Sequence, residues 1–184
     1  MVQQVKSPAP GRRLPDGTAV AAVATTVPAA RTAVAAGAVL IDLTGAGRPV
    51  MTEVRDRYPG ILICAAADWA DLVRDPATAR RTGAVLVCAD PAAAAAAEAA
   101  GIGRAGILVE AGPAQAAELI AAGWRVLADA GQVAGPHAAA AVAAVSAWLG
   151  AAAVRTRYVA AARRAVDMAD SIRGSGPTPD CEPL

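Results

Sequence analysis

The chain has 184 residues, 55% of them hydrophobic and 18% charged, with a formal net charge of +1. That length suits one domain with a sizeable core. The near-balanced charge excludes the broad basic field of a generic nucleic-acid binder. Alanine dominates and phenylalanine is absent, so the apolar faces are shallow and the elements must pack closely.

Residues 1–17 are rich in proline and turn residues, without an apolar run of signal-peptide length, and read as a flexible tail. Residues 175–184 read as a second tail, and residues 18–174 as one domain. Apolar stretches are cut by Gly, Pro, Asp or Arg before they reach spanning length, so no membrane association is expected. The three cysteines, Cys64, Cys88 and Cys181, lack close spacing. They fit a reducing compartment, and the cytoplasm is the expected location.

Between the tails an Ala-rich stretch repeatedly ends in Gly and runs into a short β-branched and Leu segment: AAGAVLID, PGILIC, TGAVLVC, RAGILVE, AGWRVLAD and LGAAAVR. Glycine ends helices in the left-handed conformation. Four apolar residues in a row are typical of a strand buried on both faces. The pattern predicts seven strands near 21–25, 39–43, 61–65, 85–89, 106–110, 125–129 and 152–157. Helices are predicted near 28–36, 49–58, 69–82, 91–101, 113–122, 136–149 and 159–173. Strand–helix alternation implies parallel pairing through right-handed crossovers. Either a β/α barrel lacking one unit or an open doubly wound sheet satisfies it.

Aligned on one another, the strands read apolar-Leu-apolar and then a polar or reactive residue: Asp42, Cys64, Cys88, Glu110 and Asp129, with Arg155 on the last strand. Alternation of side chains puts the Leu and the fourth residue on one face, which predicts a ring at the carboxyl ends of the strands. β/α proteins of either architecture bind ligands there. Three carboxylates near an arginine point to a polar pocket, although Asp and Glu at strand ends also cap helices, as expected of Asp90 before Pro91. Arg155 and Arg157 share a predicted strand face and suit an anionic ligand. Arg48, after Gly45-Ala46-Gly47, is a second candidate anion donor. No histidine lies on the ring, and free cysteines commonly behave as buried hydrophobes. Neither a metal nor a cofactor is expected. His137, the single histidine, falls at a predicted helix start.

The run AVAAGAVLIDLTGAGRP, with Asp42, Gly45, Arg48 and Pro49, resembles dihydropteroate synthase, a pterin-binding β/α barrel. EAAGIGRAGILVEAG and the segment 140–174 are similar to later parts of that family. The resemblance implies a TIM-type barrel, reduced to about seven strands by deletion of one unit between Cys88 and Glu98. It also implies a folate-related ancestry. The family's first-strand Asn and Pro-Asp-Ser-Phe loop are replaced here by Val23-Ala24-Thr25-Thr26. Its third-strand Asp is matched to Cys64, and its fourth-strand Asn to Cys88. Glu110-Ala111 stands for Asp-Pro, and Gly131-Gln132-Val133 for Ser-Arg-Lys. Arg155 keeps the last Arg, while Arg157 replaces a His. A thiol cannot reproduce the two-point hydrogen bonding of a carboxylate or amide.

The expectation is therefore a pseudoenzyme without synthase activity that binds a small anionic or pterin-like ligand at the rim, through Asp42, Arg48, Cys64, Cys88, Glu110, Asp129, Arg155 and Arg157. A homodimer through the Ala-rich C-terminal helices is the expected assembly. Two alternatives stand beside it. One is an active enzyme on another phosphate- or carboxylate-bearing molecule, with Asp42, Glu110 or Asp129 as acid–base. The other is a structural partner subunit.

Overall fold

The computed structural model describes residues 14–174. The parts of the two expected tails at 1–13 and 175–184, with Cys181, lie outside the described residues. Eight parallel strands close into a barrel in chain order: β1 (Ala19–Val23), β2 (Leu40–Asp42), β3 (Leu62–Cys64), β4 (Leu72–Val73), β5 (Val85–Cys88), β6 (Ile107–Ala111), β7 (Val126–Asp129) and β8 (Ala153–Arg155). Among the described residues seven α-helices surround it: α1 (Val27–Ala35), α2 (Arg48–Arg57), α3 (Pro76–Thr82), α4 (Pro91–Ala99), α5 (Pro113–Ala121), α6 (Gly135–Leu149) and α7 (Val159–Arg173). The reduced TIM-type barrel is present, and the open sheet is excluded.

The strand count is eight rather than about seven, because the unit thought deleted has lost only its helix. Residues 69–82, expected as one helix, hold β4 and then α3. β3 runs into β4 through Ala65–Asp71 without a helix. Nothing is missing between Cys88 and Glu98, where α4 follows β5 directly.

A two-residue strand has little pairing of its own, and side chains supplement it. Asp71 Oδ2 accepts the Ile63 N–H at 2.9 Å, and Arg55 of α2 donates to the same oxygen at 2.5 Å. The Asp71 N–H returns to Ile63 O at 3.0 Å. The Arg55 guanidinium also lies 5.4 Å from the centre of the Trp69 ring. A buried carboxylate and its arginine thus brace β3 against β4 where a crossover helix would otherwise pack.

The helices start as their sequences dictate. Each of α1 to α6 carries Pro in its first turn, where a missing N–H costs nothing. Thr26, Asp75 and Asp90 accept N–H groups of the first turns of α1, α3 and α4. Gly83 ends α3 at φ 73°, a left-handed conformation that disfavours other residues.

Two apolar layers result. The inner one fills the barrel with Ala19, Ala21, Leu40, Leu62, Cys64, Leu72, Val87, Leu108, Leu127 and Ala153, and Leu14 packs against it from the expected tail. The outer one lies between strands and helices and includes Ile41, Ile63, Val73, Leu86, Cys88, Val109 and Val154. Thr18, just before β1, ties the first strand to the last unit, donating its N–H to Asp170 of α7 at 3.0 Å and its hydroxyl to Ala151 O, just before β8, at 2.9 Å.

Candidate functional site

The inner layer fixes what stands at the carboxyl mouth. Two residues beyond Leu40, Leu108, Leu127 and Ala153 come Asp42, Glu110, Asp129 and Arg155, on the same face by strand alternation. β4 adds Arg74, two residues after the inward Leu72. These five side chains meet. Arg155 Nη1 donates to Glu110 Oε1 at 2.5 Å and Asp42 Oδ2 at 3.3 Å, and its Nη2 to Asp129 Oδ2 at 2.8 Å. Arg74 Nη2 donates to the same Glu110 Oε1 at 2.6 Å and Asp42 Oδ2 at 3.3 Å. Asp42 Oδ1 accepts the Thr44 N–H at 3.0 Å and the Thr44 hydroxyl at 2.5 Å. Asp129 Oδ1 accepts the Gly131 N–H at 2.8 Å.

Protonation states follow from these partners. Burial works against the charge of Asp42, but Thr44 and the two guanidiniums outweigh it and hold the carboxyl below the ordinary range. Asp129 is likewise lowered: burial opposes, and Arg155 with the Gly131 N–H prevails. The hydrogen bond to Glu110 strengthens the hold of Arg74 on its proton. By formal charge, the mouth gathers three acidic side chains and two guanidiniums, an excess of one negative charge.

Cys64 reaches the mouth below Thr44, with its sulfur 3.9 Å from the hydroxyl oxygen. Burial, then the neighbouring Asp42 charge, pushes its thiol up to about 12, so it is a small apolar filler. Val23, beside Asp42 in register on the adjacent β1, faces the mouth and is 58% exposed, an apolar spot next to the charges.

Three expected site residues lie elsewhere. Cys88 points outward into the helix-facing core, because β5 pairs it with the outward Val109 and turns Val87 inward. The Leu-to-polar alignment is one residue out of phase on this strand, and burial raises the Cys88 thiol. With eight strands in order, the residue at the end of the fourth is Arg74, and the match of Cys88 to the family's fourth-strand Asn is corrected accordingly. Arg48 is exposed at the start of α2, and its glycine loop is a plain turn closed by Ala46 N–H to Leu43 O at 2.8 Å. Arg157 follows β8 rather than extending it. It leaves Arg155, donates to Val133 O at 3.3 Å and lies over Tyr158. His137 is exposed on α6.

Arg74, Thr44 and Val23 were missed from the sequence. A signal for Arg74 existed: Leu72-Val73 followed by Asp75-Pro76 repeats the strand-end and helix-start pattern of Val87-Cys88 and Asp90-Pro91. Beside Arg74, where β3 and β4 join without a helix, a cavity of about 470 Å³ opens. Thr44, Ala65, Ala67, Val73 and Pro76 help to line it. Among the described residues no cluster suits a metal ion, and no helix is long and apolar enough to cross a membrane.

No family model matches the chain, and no curated protein matches it either. Solved structures do. The Mycobacterium tuberculosis protein Rv1207 is 27% identical, with a TM-score of 0.72 over 89% of this chain and 94% of that one. A Coxiella burnetii dihydropteroate synthase in complex with pteroic acid is 15% identical, with a TM-score of 0.73 over 89% and 96%. The Anaplasma phagocytophilum dihydropteroate synthase with bound 6-hydroxymethylpterin-monophosphate is 12% identical, with a TM-score of 0.72 over 85% and 99%. The chain has the fold of the dihydropteroate synthases.

Proposed function

We propose that the protein is a dihydropteroate-synthase-like pseudoenzyme that binds a pterin-like molecule at the barrel mouth and does not carry out the synthase reaction. One observation carries this reading: both mouth guanidiniums, Arg74 and Arg155, are spent on carboxylates of the same site. A synthase must hold a departing pyrophosphate, which requires uncommitted cations. Here the mouth has an excess negative charge, Gly131-Gln132-Val133 has no lysine, and Arg157 is turned away. The same charge disfavours a phosphate- or carboxylate-bearing substrate. It favours a ligand rich in N–H donors, for which Asp42 and Glu110 are acceptors and Val23 offers an apolar contact.

The two free buried thiols, Cys64 and Cys88, agree with a cytoplasmic setting. Self-association through the outer face of α6 and α7 is part of the proposal. Val145, Trp148, Met168 and Ile172 are four of the five exposed large hydrophobic residues among the described ones, and they lie on those two adjacent helices. Exposed apolar side chains on neighbouring helices can pair with those of a second copy about a two-fold axis.

The test is to incubate the protein with pterin pyrophosphate and p-aminobenzoate while measuring pterin binding and inorganic phosphate binding separately. Saturable pterin binding without product is expected. Product formation, or binding of phosphate but not pterin, overturns the reading.

A further inference from the structure

Arg74 and Arg155 share two carboxylates but are not equally held. Arg155 makes contacts through three nitrogens, has Asp129 to itself, and its side chain is 15% exposed. Arg74 is held through Nη2 alone, and its side chain is 32% exposed. Its Nε and Nη1 make no hydrogen bond with a described residue. It follows a two-residue strand joined to β3 at a single register pair, Cys64 with Leu72. It also borders the cavity of about 470 Å³ left where β3 meets β4 without a helix, so the side chain has a place to go.

We propose that Arg74 is a tethered, autoinhibitory occupant of the ligand site: its guanidinium fills the donor position that a planar guanidine-like edge of a ligand takes. Ligand entry swings Arg74 into the side cavity. Asp42 Oδ2 and Glu110 Oε1 then each lose one of their two guanidinium donors and accept a ligand N–H in its place, while Arg155 stays on both and on Asp129. Selectivity follows from the exchange. A molecule with adjacent N–H donors on a flat frame replaces what it displaces, whereas an anion supplies no donor for the carboxylates that Arg74 leaves and meets three of them against Arg155 alone. The affinity of the resting protein is reduced by the fraction of time Arg74 occupies the site. This inference rests on the mouth being the ligand site, and the experiment separates the two.

Calorimetric titration of pterin and of methylguanidinium into the wild-type protein, Arg74→Ala and Arg74→Lys provides the test, with circular dichroism reporting folding. Arg74→Ala is expected to bind pterin at least tenfold tighter than wild type, and methylguanidinium should bind to this variant and compete with pterin. Lysine keeps the charge without the planar fork, so Arg74→Lys should show a smaller gain, and it carries the test if Arg74→Ala does not fold. Equal or weaker pterin binding in the folded variants overturns the role of Arg74 and leaves the mouth as a pterin site. Methylguanidinium binding to Arg74→Ala with no pterin binding to any form supports Arg74 as a tethered occupant and overturns the pterin reading. Failure of both probes in every folded form overturns both.

Discussion

Arg74 and Arg155, from strands on opposite sides of the barrel, donate to one oxygen, Glu110 Oε1, at 2.6 and 2.5 Å. That shared acceptor makes Glu110 the keystone of the mouth. Removing it leaves two partly buried guanidiniums competing for Asp42. Glu110→Ala should lower stability by about 3 kcal/mol, the order expected for breaking a desolvated ion pair. Glu110→Gln, which still accepts a hydrogen bond, should cost less. Urea denaturation of the two variants checks the order.

The brace between β3 and β4 should matter as much. Asp71 is buried and serves both Arg55 and the Ile63 N–H, so Asp71→Ala should cost about 3 kcal/mol. The nearby exposed pair Arg81–Asp68 should contribute about 0.5 kcal/mol or less. Equal losses for Asp71→Ala and Arg81→Ala would show that no brace operates.

Asp42 and Asp129 both have carboxyls held below the ordinary range when folded. The unfolded chain therefore takes up protons first as pH falls. The stability they contribute is fully present above about pH 4, the unfolded carboxylate value, and is lost as pH drops through their folded values. Urea midpoints for wild type should decline below that pH, and Asp42→Asn should show a shallower decline. Parallel curves would count against this origin of acid sensitivity.

Cys64, with its thiol near 12, should resist alkylation in the folded protein. At pH 8 its thiolate fraction is on the order of 10³ below that of an ordinary cysteine. Peptide mapping after iodoacetamide treatment should find Cys64 and Cys88 labelled in urea and protected without it. Rapid native labelling of Cys64 would contradict its role as an apolar filler.

The exposed face of α6 and α7 gives a separate prediction. Trp148→Glu should shift the protein from dimer to monomer in sedimentation experiments, with the circular dichroism spectrum unchanged. A monomeric wild type would remove the self-association proposal.

Much of this was legible in the residues. Gly-then-apolar repeats located six of the eight strands and the reading near 21–25 a seventh, and side-chain alternation brought Asp42, Glu110, Asp129 and Arg155 to one mouth. The failures have physical causes. β4 has only two residues, is stabilised by the Asp71 and Arg55 side chains, and has no crossover helix before it, so periodicity had nothing to register. Because its strand was hidden, Arg74 was hidden too, and the family match slid along to Cys88. On β5 the Leu faces outward, since pairing with β6 rather than residue type sets the phase. Arg157 was assigned to a strand that ends at Arg155.

The mouth ringed by Asp42, Arg74, Glu110, Asp129 and Arg155 is the proposed ligand site. Nuclear magnetic resonance of isotope-labelled protein titrated with pterin tests it most directly. Saturable shifts are expected at Thr44 and at the Arg74 and Arg155 guanidinium signals, with the largest change at Arg74. Saturable shifts confined to other surfaces, or none at the mouth, would contradict it.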